Sequence, residues 1–589
     1  MKALRHLNKY FWKYRYRFIL GLIFILTSNI FGLYPPIYIG EVFNIISDSF
    51  NAENLPEDTE RSTLLKRQLA YYAFLVLAFA VCKGLFMFFM RQTIIVMSRM
   101  IEYDLKNEIY NHYQKLSISF YKRNKTGDLM NRISEDVSRV RMFLGPAILY
   151  TANLLISISL IIPKMISISP KLTLYVLSPL PLLVIAIYKV SSIMNKKSEI
   201  VQEQLSKLSS ISQETFSGIR VIKSYIQENF AQKQFMTAAE DYKTKNLALV
   251  KVNALFFPLM ILLIGLSTLF TIYIGGLEAI AGRIQVGHIA TFVIYVNMLT
   301  WPVASLGWVT SIVQRAAASQ ERINEFLTEE PEIKNLIKKR TPVAGDIDFK
   351  NVSFTYPDTG IQALKNVSFS IKEGETLGII GKIGSGKSTL AELVCRINDP
   401  DSGSISIGNQ NIKELNLFDL REAVGYVPQE TFLFSDSIYN NIAFGDKVSD
   451  NESVHKAAKQ AGIYQNIQQF KKQFDTVIGE RGITLSGGQK QRLSIARALI
   501  RDPKFMLFDD CLSAVDVETE EQILQNIKIQ SKNKSCIIIS HRASSIKHAD
   551  QIIVLKDGEI MEQGVHKTLM DLGGDYAHIY KKQLIEAKH

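Results

Sequence analysis

The residues with the clearest chemistry lie in the second half of the chain and form a phosphate-binding pattern. Residues 374–380 predict a turn and a buried strand, and residues 389–394 predict a helix. Between them stands Gly-x-x-x-x-Gly-Lys-Ser, whose glycines let backbone N–H groups surround a phosphate at a helix N-terminus. In this pattern Lys387 neutralises the β- and γ-phosphates of a nucleotide, and Ser388 is a ligand of Mg²⁺. The predicted nucleotide-binding residues are Gly381, Lys382, Ile383, Gly384, Ser385, Gly386, Lys387, Ser388 and Thr389.

Two adjacent carboxylates follow another apolar stretch. Residues 505–508 (Phe-Met-Leu-Phe) predict a buried parallel strand that ends at Asp509 and Asp510. Such a strand can bring an acid to the magnesium ion beside the phosphate-binding loop. A paired-acid surface turn is the alternative, and the apolar residues before the pair argue against it.

The elements that position these residues occupy only half of a long chain. The 589 residues are 47% hydrophobic and 21% charged. Uncharged runs of about 20 residues, enough to cross a membrane, recur through the first 315 positions and are absent after Asp346. This composition excludes a disordered chain and a fibrous repeat, and the long runs exclude a purely soluble protein.

The apolar runs predict six membrane spans. Between spans two and three, and between spans four and five, the chain is charged yet keeps helical periodicity. These stretches predict membrane helices that continue into the cytosol and turn back. The predicted spans are residues 18–40, 69–96, 143–163, 171–193, 254–276 and 286–312.

The placement of the basic residues favours a membrane over a nucleic acid as the partner of this chain. The net charge is +12, and the first 17 residues carry six basic residues and no acid directly before an apolar run. Basic residues beside a span mark its cytoplasmic side. The loop after the first span, residues 48–67, instead has an excess of acids. The N-terminus is therefore predicted to be cytoplasmic, and no nucleic-acid partner is expected.

Two segments in the charged stretches have the composition of turning points that could dock on another domain. One contains Phe120 and Tyr121 before a Gly-Asp turn, and the other contains Phe216 and Arg220. An aromatic side chain flanked by charges suits insertion into a groove. A solvated loop with stray aromatic residues is the alternative for both segments.

One charged residue stands out inside the predicted spans. Lys83 lies among apolar residues of the second span. An intramembrane charge normally faces a cavity or a partner, because exposing it to lipid costs several kcal/mol. A lysine can also extend its ammonium group to the membrane surface. Lys83 is therefore a candidate cavity residue. By comparison, Pro179 and Pro181 predict a kink of span four.

The second half of the chain also resembles the ATP-binding cassettes of ABC transporters. The family's signature is present as Leu485, Ser486, Gly487, Gly488 and Gln489. The resemblance identifies this segment as the part that contacts the ATP of a partner cassette.

Further motifs stand in the family's order. Gln429 matches the Q-loop, and the resemblance implies that it acts with Ser388 and Asp509 on Mg²⁺. His541 matches the switch histidine, and Tyr356 matches the aromatic residue that stacks on adenine. Ser513 and Asp516 match the D-loop, and residues 479–482 (Gly-Glu-Arg-Gly) resemble the segment that precedes the signature in exporters.

The resemblance covers nearly the whole chain and implies a multi-domain fold. An all-α transmembrane domain of six helices is expected over residues 1–328, and a linker over residues 329–345. An α/β P-loop nucleotide-binding domain with a helical subdomain is expected over residues 346–589. The two turning segments resemble the coupling helices of type IV ABC exporters. Because the chain has one membrane part and one cassette, it is expected to pair with a second half-transporter.

The chain departs from the family at the residue after the magnesium aspartate. The family places a glutamate there to polarise the attacking water, and this chain has Asp510. A carboxylate withdrawn by about one bond can cost ~10²-fold in rate. Because the signature and His541 are intact, the chain resembles the degenerate-site half of a heterodimeric exporter. A homodimer with slow hydrolysis is the alternative.

The expected function is ATP-driven export of amphipathic or hydrophobic compounds, such as drugs or lipids, with ATP and Mg²⁺ as cofactors. Asp510, His541 and Gln429 are its predicted catalytic residues. The alternative is an ATP-gated or regulatory subunit with little hydrolysis of its own. The expected location is the inner, cytoplasmic membrane, with the ATP-binding domain in the cytoplasm.

Overall fold

A computed structural model of the protein describes residues 2–51, 59–446, 449–479, 482, 485–513, 517–530 and 534–586. Its residues separate into two units. The membrane unit contains Met1–Gln114 and Gly127–Glu329, and the cassette unit contains Lys115–Thr126 and Glu330–His589. The segment Lys115–Thr126 thus belongs to the cassette unit, although in sequence it interrupts the helices of the membrane unit.

In the part of the chain that the structure describes, six helical segments are long and apolar enough to cross a membrane, which confirms the predicted number of spans. Each contains one of the predicted apolar runs, because about 20 helical residues cover the ~30 Å of hydrocarbon. The segments are Arg15–Ser49, Thr63–Tyr113, Thr126–Ile168, Pro170–Ser217, Glu228–Ile280 and Val286–Thr328.

The helices in this part of the chain are α1 (Asn8–Lys13), α2 (Arg15–Leu33), α3 (Pro35–Asn51), α4 (Thr59–Tyr113), α5 (Ile118–Arg123), α6 (Thr126–Asn131), α7 (Val137–Met142), α8 (Ile148–Ile168), α9 (Pro170–Leu177), α10 (Pro179–Ser217), α11 (Ile219–Ser224), α12 (Glu228–Ile280) and α13 (Val286–Thr328). A 3₁₀ segment, Lys2–Leu7, precedes α1. Two π-helical segments, Arg132–Asp136 and Phe143–Ala147, flank α7.

Prolines divide two of the spanning segments, because a proline nitrogen cannot donate the hydrogen bond that continues a helix. Pro35 and Pro36 begin α3 directly after α2. The hydroxyl of Tyr295 donates to the carbonyl of Leu33 at this break, at 2.9 Å. Pro179 begins α10 after α9, at the position where the sequence predicts a kink in span four.

The helices α10 and α12 are much longer than a bilayer is thick. They contain 39 and 53 residues, which corresponds to roughly 58 and 80 Å at 1.5 Å per residue. They pack along each other beyond the apolar runs, where the side-chain amide of Gln204 donates to the carbonyl of Ala238 at 3.2 Å. The short helix α11 lies between them. This arrangement agrees with the predicted helices that leave the membrane and turn back.

The strands among the described residues of the cassette unit are β1 (Ile347–Thr355), β2 (Gln362–Ile371), β3 (Thr376–Gly381), β4 (Ser402–Ile407), β5 (Gln410–Asn411), β6 (Val424–Val427), β7 (Phe505–Asp509), β8 (Ser535–Ile539), β9 (Gln551–Lys556) and β10 (Glu559–Gly564). One sheet has the order β2-β1-β4-β5 and is antiparallel. The other has the order β10-β9-β3-β8-β7-β6 and is parallel except for β10.

Helices cover the parallel sheet, which explains why β7 and β8 are buried along their whole length. The helices of the cassette unit are α14 (Lys387–Val394), α15 (Leu417–Ala423), α16 (Ile438–Ala443), α17 (Asn451–Gln460), α18 (Tyr464–Gln468), α19 (Gly487–Leu499), α20 (Val517–Gln530), α21 (Ala543–Ile546), α22 (His566–Leu572) and α23 (Asp575–Glu586). Short 3₁₀ turns are present at Ile412–Glu414 and Gln473–Asp475.

The helices α16 to α19 form the predicted helical subdomain. Apolar residues on their inner faces share one buried core, which includes Ile442, Val454, Ile467 and Leu493. The sheet and this subdomain confirm the predicted α/β nucleotide-binding fold after a six-helix membrane part.

The parallel sheet brings the predicted chemistry to one edge. Asp509 is in register with Ile539 across β7 and β8, and Ile379 of β3 pairs with the same residue. The carboxyl ends of parallel strands lie together, which is where open α/β sheets bind ligands. The segments that follow β3, β7 and β8 therefore meet, although more than 100 residues separate the first of them from the other two.

Candidate functional site

The phosphate-binding loop connects β3 to α14, as the sequence predicts. Gly386, the residue before α14, has a φ of +96°. A Cβ atom at this position would lie 2.2 Å from the carbonyl oxygen of Ala363, so the site accepts only glycine. Lys382, Ile383 and Gly384 form the exposed tip of the loop. The loop thus places its N–H groups around the N-terminus of α14.

Lys387 lies inside the loop and bridges its backbone. The side chain is 6% exposed, and its ammonium donates to the carbonyls of Gly381 at 3.0 Å and Lys382 at 2.8 Å. Burial lowers the pKa of Lys387, and the charges of Asp510 and Asp509 oppose this shift. The ammonium group can therefore bind an anion, which is a stronger partner than two neutral carbonyls.

A second group in the loop lacks a partner. Ser385 is 4% exposed, and its buried hydroxyl has no hydrogen bond with any residue that the structure describes. Leaving a buried hydroxyl unpaired costs about 1–3 kcal/mol. A phosphate oxygen in the loop would remove this cost. The loop residues therefore fit a nucleotide phosphate.

Asp509, at the end of β7, has the surroundings of a cation ligand. Its side chain is 2% exposed. Burial raises the pKa of Asp509, and a hydrogen bond with Ser388 and the charge of Lys387 lower it. A buried carboxylate beside a hydroxyl offers the hard oxygen ligands that Mg²⁺ prefers. The two side chains therefore fit the predicted magnesium site.

Asp510 follows with a strained backbone. Its φ is +44°, a left-handed conformation that aspartate tolerates better than most residues. Its N–H donates to the carbonyl of Ile539 at 2.8 Å, and its carboxylate accepts from the N–H of His541 at 3.4 Å. The acid is thereby held beside the segment that follows β8.

His541 completes the group at the sheet edge. Burial lowers the pKa of its imidazole, and so does the nearby charge of Lys387. The charge of Asp510 and a hydrogen bond with the Gly381 backbone oppose this shift. The ring is therefore neutral at neutral pH, with one nitrogen able to donate and the other able to accept.

Tyr356 directly follows β1, and its side chain lies beside the start of α14. Its hydroxyl bonds with Thr389 at 3.0 Å and donates to Glu392 at 3.2 Å. Burial raises the pKa of Tyr356 to about 12, so the phenol stays neutral. The ammonium of Lys122, in the short helix α5, lies 4.8 Å from the ring centroid. The side chain is thus fixed through its hydroxyl, and α5 belongs to the surroundings of the nucleotide site.

Two predicted groups form no hydrogen bond with this centre within the residues that the structure describes. Gln429 is exposed beyond the end of β6, and within the described residues its side chain forms no hydrogen bond with Ser388 or Asp509. The signature residue Ser486 caps α19, since its hydroxyl accepts from the N–H of Gln489 at 3.3 Å and its own N–H donates to the Gln489 side chain at 3.0 Å. Leu485 is buried, whereas Ser486 and Gly487 are exposed and Gly488 is half-buried.

Ser513 connects the D-loop to the acid pair. Its hydroxyl donates to the carbonyl of Asp510 at 3.0 Å and accepts from Gln491 at 3.3 Å. Asp516 lies outside the described residues, as do Glu480 and Arg481. Ser513 is therefore hydrogen-bonded to the backbone of the predicted catalytic acid.

The remaining predicted residues lie in three places. Phe120 is buried at 3% exposure and Tyr121 is exposed, both in α5. Phe216, near the end of α10, is 73% exposed, and Arg220 in α11 is also exposed. Lys83 is half-buried in α4 and contacts Gly32.

Gln583 has a role that sequence reasoning missed. It lies in α23, the last helix, and clamps the backbone on both sides of Arg542. Its amide donates to the carbonyl of His541 at 2.7 Å and accepts from the N–H of Ala543 at 2.8 Å. A lone glutamine in a terminal helix carries no sequence signal, so only the fold reveals the clamp.

The structure predicts that Gln583→Leu lowers the turnover number of the assembled enzyme about 10-fold, the cost of two lost hydrogen bonds near a catalytic group. The KM for ATP should stay unchanged, because the phosphate-binding loop is not touched. Steady-state ATP hydrolysis measures both constants. Lys581→Ala, on an exposed position of the same helix, is the control and should match the unaltered protein. An equal loss through KM would contradict a positioning role.

Known proteins resemble this chain over its whole length. Residues 18–303 match the family described as the ABC transporter transmembrane region, and residues 364–513 match the family described as ABC transporter. The uncharacterized ABC transporter ATP-binding protein YknU of Bacillus subtilis (strain 168) is 35% identical over 597 residues, covering 100% of this chain and 98% of its own length. The probable multidrug resistance ABC transporter ATP-binding/permease protein YheI of the same organism is 32% identical, with 99% and 97% covered.

Two further comparisons agree. The multidrug resistance-like ATP-binding protein MdlA of Escherichia coli (strain K12) is 33% identical, with 100% of this chain and 98% of that protein covered. A solved structure of a bacterial Atm1-family ABC exporter with ATP bound has a TM-score of 0.79 at 25% identity, covering 97% of this chain and 99% of that one. The chain therefore belongs to the ABC transporter family, as a multi-pass half-transporter that binds and hydrolyses ATP to drive export.

Proposed function

We propose that this half-transporter exports amphipathic or hydrophobic compounds, such as drugs or lipids, across the cytoplasmic membrane by alternating access. The observation that carries the proposal is that one chain contains both parts of a pump. Its described residues form six spanning segments, and its phosphate-binding loop holds a buried Lys387 positioned to bind phosphate. The names of two relatives, the probable multidrug resistance protein YheI and the multidrug resistance-like protein MdlA, support a multidrug type of substrate.

In the proposed mechanism the loop amides and Lys387 bind the phosphates of ATP, and Ser385 gains a partner for its hydroxyl. Tyr356 stacks on the adenine ring. Ser388, Asp509 and Gln429 would hold Mg²⁺. The ion supplies positive charge to the phosphate oxygens when it is bound.

Asp510 then acts on the attacking water, and His541 acts on a phosphate oxygen. The carboxylate of Asp510 accepts a hydrogen bond from the water and orients it toward the terminal phosphate. The imidazole of His541 is neutral because burial and Lys387 lower its pKa. It can therefore donate from one nitrogen to a phosphate oxygen without adding a charge that must be desolvated.

A second half-transporter completes the proposed site. The exposed Ser486 and Gly487 at the N-terminus of α19 suit contact with the phosphates held by another cassette, since helix N-termini favour anions. ATP binds the closed pair of cassettes more tightly and so shifts the population toward it. The coupling segments, with Phe120, Tyr121, Phe216 and Arg220, would transmit this closure to the membrane helices.

Asp510 favours a heterodimer, in which the partner brings its own catalytic glutamate. The same residue supports a second candidate function, an ATP-gated or regulatory subunit with little hydrolysis of its own. The basic N-terminal residues support a cytoplasmic N-terminus and a cytoplasmic cassette. We propose the inner, cytoplasmic membrane as its location.

Directional accumulation separates a pump from a channel. Proteoliposomes containing the protein with its cassettes outward are given Mg²⁺-ATP and a fluorescent amphiphile. We expect uptake into the lumen against a gradient, and no uptake without ATP. Flux that only dissipates a gradient would support the gated alternative and contradict export.

A missing partner could silence the protein on its own, so a second preparation contains Asp510→Glu, which restores the family's acid. Accumulation by this preparation alone would support export and identify the aspartate as the limiting group. ATP turnover without accumulation of any amphiphile in either preparation would overturn the proposed substrate class.

A further inference from the structure

The second spanning segment carries a buried charge that the proposed mechanism does not use. Lys83 is the one charged residue of α4 between Gln68 and Arg91, and it lies inside the segment Thr63–Tyr113. Placing an unpaired ammonium group in hydrocarbon is unfavourable, so intramembrane charges normally face a partner or a cavity. The chain therefore needs something to pair with this charge.

The direction of the Lys83 side chain argues against an ammonium group that extends to the nearer membrane surface. The hydroxyl of Ser28 donates to the carbonyl of Lys83 at 3.3 Å, which sets these two residues at one level. The ammonium instead lies against Gly32, one helical turn further along α2, where an added Cβ would be 3.2 Å from Nζ. Because α2 and α4 run in opposite directions, as the ring contacts Phe24–Phe89 and Tyr34–Phe79 require, this turn leads away from Arg91.

Helical side chains lean toward the N-terminus of their helix, so this direction is the natural one for Lys83. The nearer polar end of the apolar run, at Arg91, lies the other way. The ammonium consequently points toward the middle of the apolar run and away from its nearer polar end.

Neighbouring protein groups do not neutralise the charge. Within the described residues no carboxylate pairs with Lys83, and its ammonium has no hydrogen bond. The nearest polar side chains of α2 are already used: Asn29 donates to Asn153 at 2.9 Å and accepts from Ser157 at 2.7 Å. The Lys83 side chain is half-buried rather than sealed, so a ligand can reach it.

Aromatic side chains of both helices lie close to Lys83. Phe79 and Phe86 lie one turn before and after Lys83 on the same face of α4. Phe31 of α2 contacts both, with ring centroids 5.5 Å apart in each pair. Tyr34 contacts Phe79 at 5.3 Å. The seam between α2 and α4 thus offers one unpaired cation among flat apolar surfaces.

We propose that Lys83 is the headgroup contact of a substrate site for amphiphiles with an anionic headgroup, such as a carboxylate or a phosphate. The anion pairs with the ammonium beside Gly32, and the apolar body lies against the rings of Phe31, Phe79 and Phe86. Export of the bound compound rests on the proposed function, and this site specifies the substrate class. Binding itself requires only this chain.

Binding is measured without ATP, on the full chain in nanodiscs of zwitterionic lipid. The probes are a fluorescent fatty acid and a fluorescent alkyl trimethylammonium with the same chain length. We expect the unaltered protein to bind the anion about 10-fold more tightly, the effect of one charge-assisted hydrogen bond. Lys83→Met should abolish the preference, and Lys83→Arg should keep it.

Lys66→Met is the matched control, because it removes the same charge from an exposed position of α4 and should keep the preference. Equal affinity of the unaltered protein for both probes, or a preference that survives in Lys83→Met, would overturn the inference. Competition by a lysophosphatidate separates the sources: displacement of the fatty acid favours a lipid phosphate, and no displacement favours an organic acid.

The outcome is distinguishable from a failure of the proposed function. Loss of the anion preference together with ATP-driven accumulation of other amphiphiles would refute the site and leave export standing. An anion preference that depends on Lys83, without accumulation of any compound, would support the site and refute export.

Discussion

Lys387→Met is expected to abolish ATP hydrolysis by the assembled transporter, with a fall in turnover of at least about 100-fold, the usual loss of one charged group at a transferring phosphate. The ammonium is buried in the loop and, among the described residues, is hydrogen-bonded to the carbonyls of Gly381 and Lys382. When ATP binds, its phosphates replace these two weak acceptors. The ammonium of Lys387 then stabilises the negative charge that develops on the phosphate oxygens during hydrolysis. Phosphate release at saturating ATP measures the effect.

The fold should survive this change. Methionine keeps the apolar stem of the lysine. It also removes an ammonium group that is unfavourably buried, since burial lowers the pKa of Lys387. Two carbonyls lose a donor, which costs about 1–3 kcal/mol if water cannot reach them. Lys372→Met, on an exposed turn before β3, serves as the control and should retain full turnover. Normal hydrolysis by a folded Lys387→Met protein would show that the loop does not bind the phosphates as proposed.

Asp510→Glu is expected to raise turnover at the site built on this chain's loop by about 10- to 100-fold, since one methylene advances the carboxylate by roughly the distance that such a misplacement costs. The present carboxylate reaches the N–H of His541 at 3.4 Å, a long hydrogen bond that leaves it poorly engaged. The purified protein in nanodiscs, measured for nucleotide binding as well as hydrolysis, provides the comparison.

The gain should carry a small loss of stability. Residue 510 has a φ of +44°, and glutamate tolerates the left-handed region less well than aspartate. We therefore expect a slightly lower unfolding temperature together with faster hydrolysis. Asp510→Asn keeps the shape without the charge and should reduce the residual rate.

The same measurement addresses the partner. Brisk hydrolysis by the unaltered protein alone would mean a working homodimer, and the heterodimer proposal would fall. Nucleotide binding with slow hydrolysis that Asp510→Glu accelerates would favour a partner with its own glutamate. No acceleration in a folded variant would mean that Asp510 is not the limiting group.

Much of this protein could be predicted from short stretches of its sequence, because the physics there is local. A run of apolar residues must become a helix in lipid, where every backbone group needs a partner, so the spans follow from composition. The loop from Gly381 to Ser388 is similarly local, since its glycines and the following helix make the phosphate cradle by themselves. The left-handed φ of Gly386, a conformation that glycine adopts without strain, shows this directly.

Contacts between distant residues required the fold. Asp509, Ile539 and Ile379 meet because parallel strands align their ends, a register that no local pattern specifies. Gln583 clamps the His541 segment from the last helix, and α5 reaches Tyr356 through Lys122.

Lys83 illustrates the division most clearly. Its sequence position shows that a charge lies in an apolar span, but leaves open whether the ammonium reaches the surface or a cavity. The contact with Gly32 decides the direction, because the packing of α2 against α4 sets where the side chain can go. The sequence alone determined the elements and the chemistry available to them, which depend on neighbours along the chain. The tertiary structure decided which of these groups meet, because that depends on the packing of elements far apart in sequence.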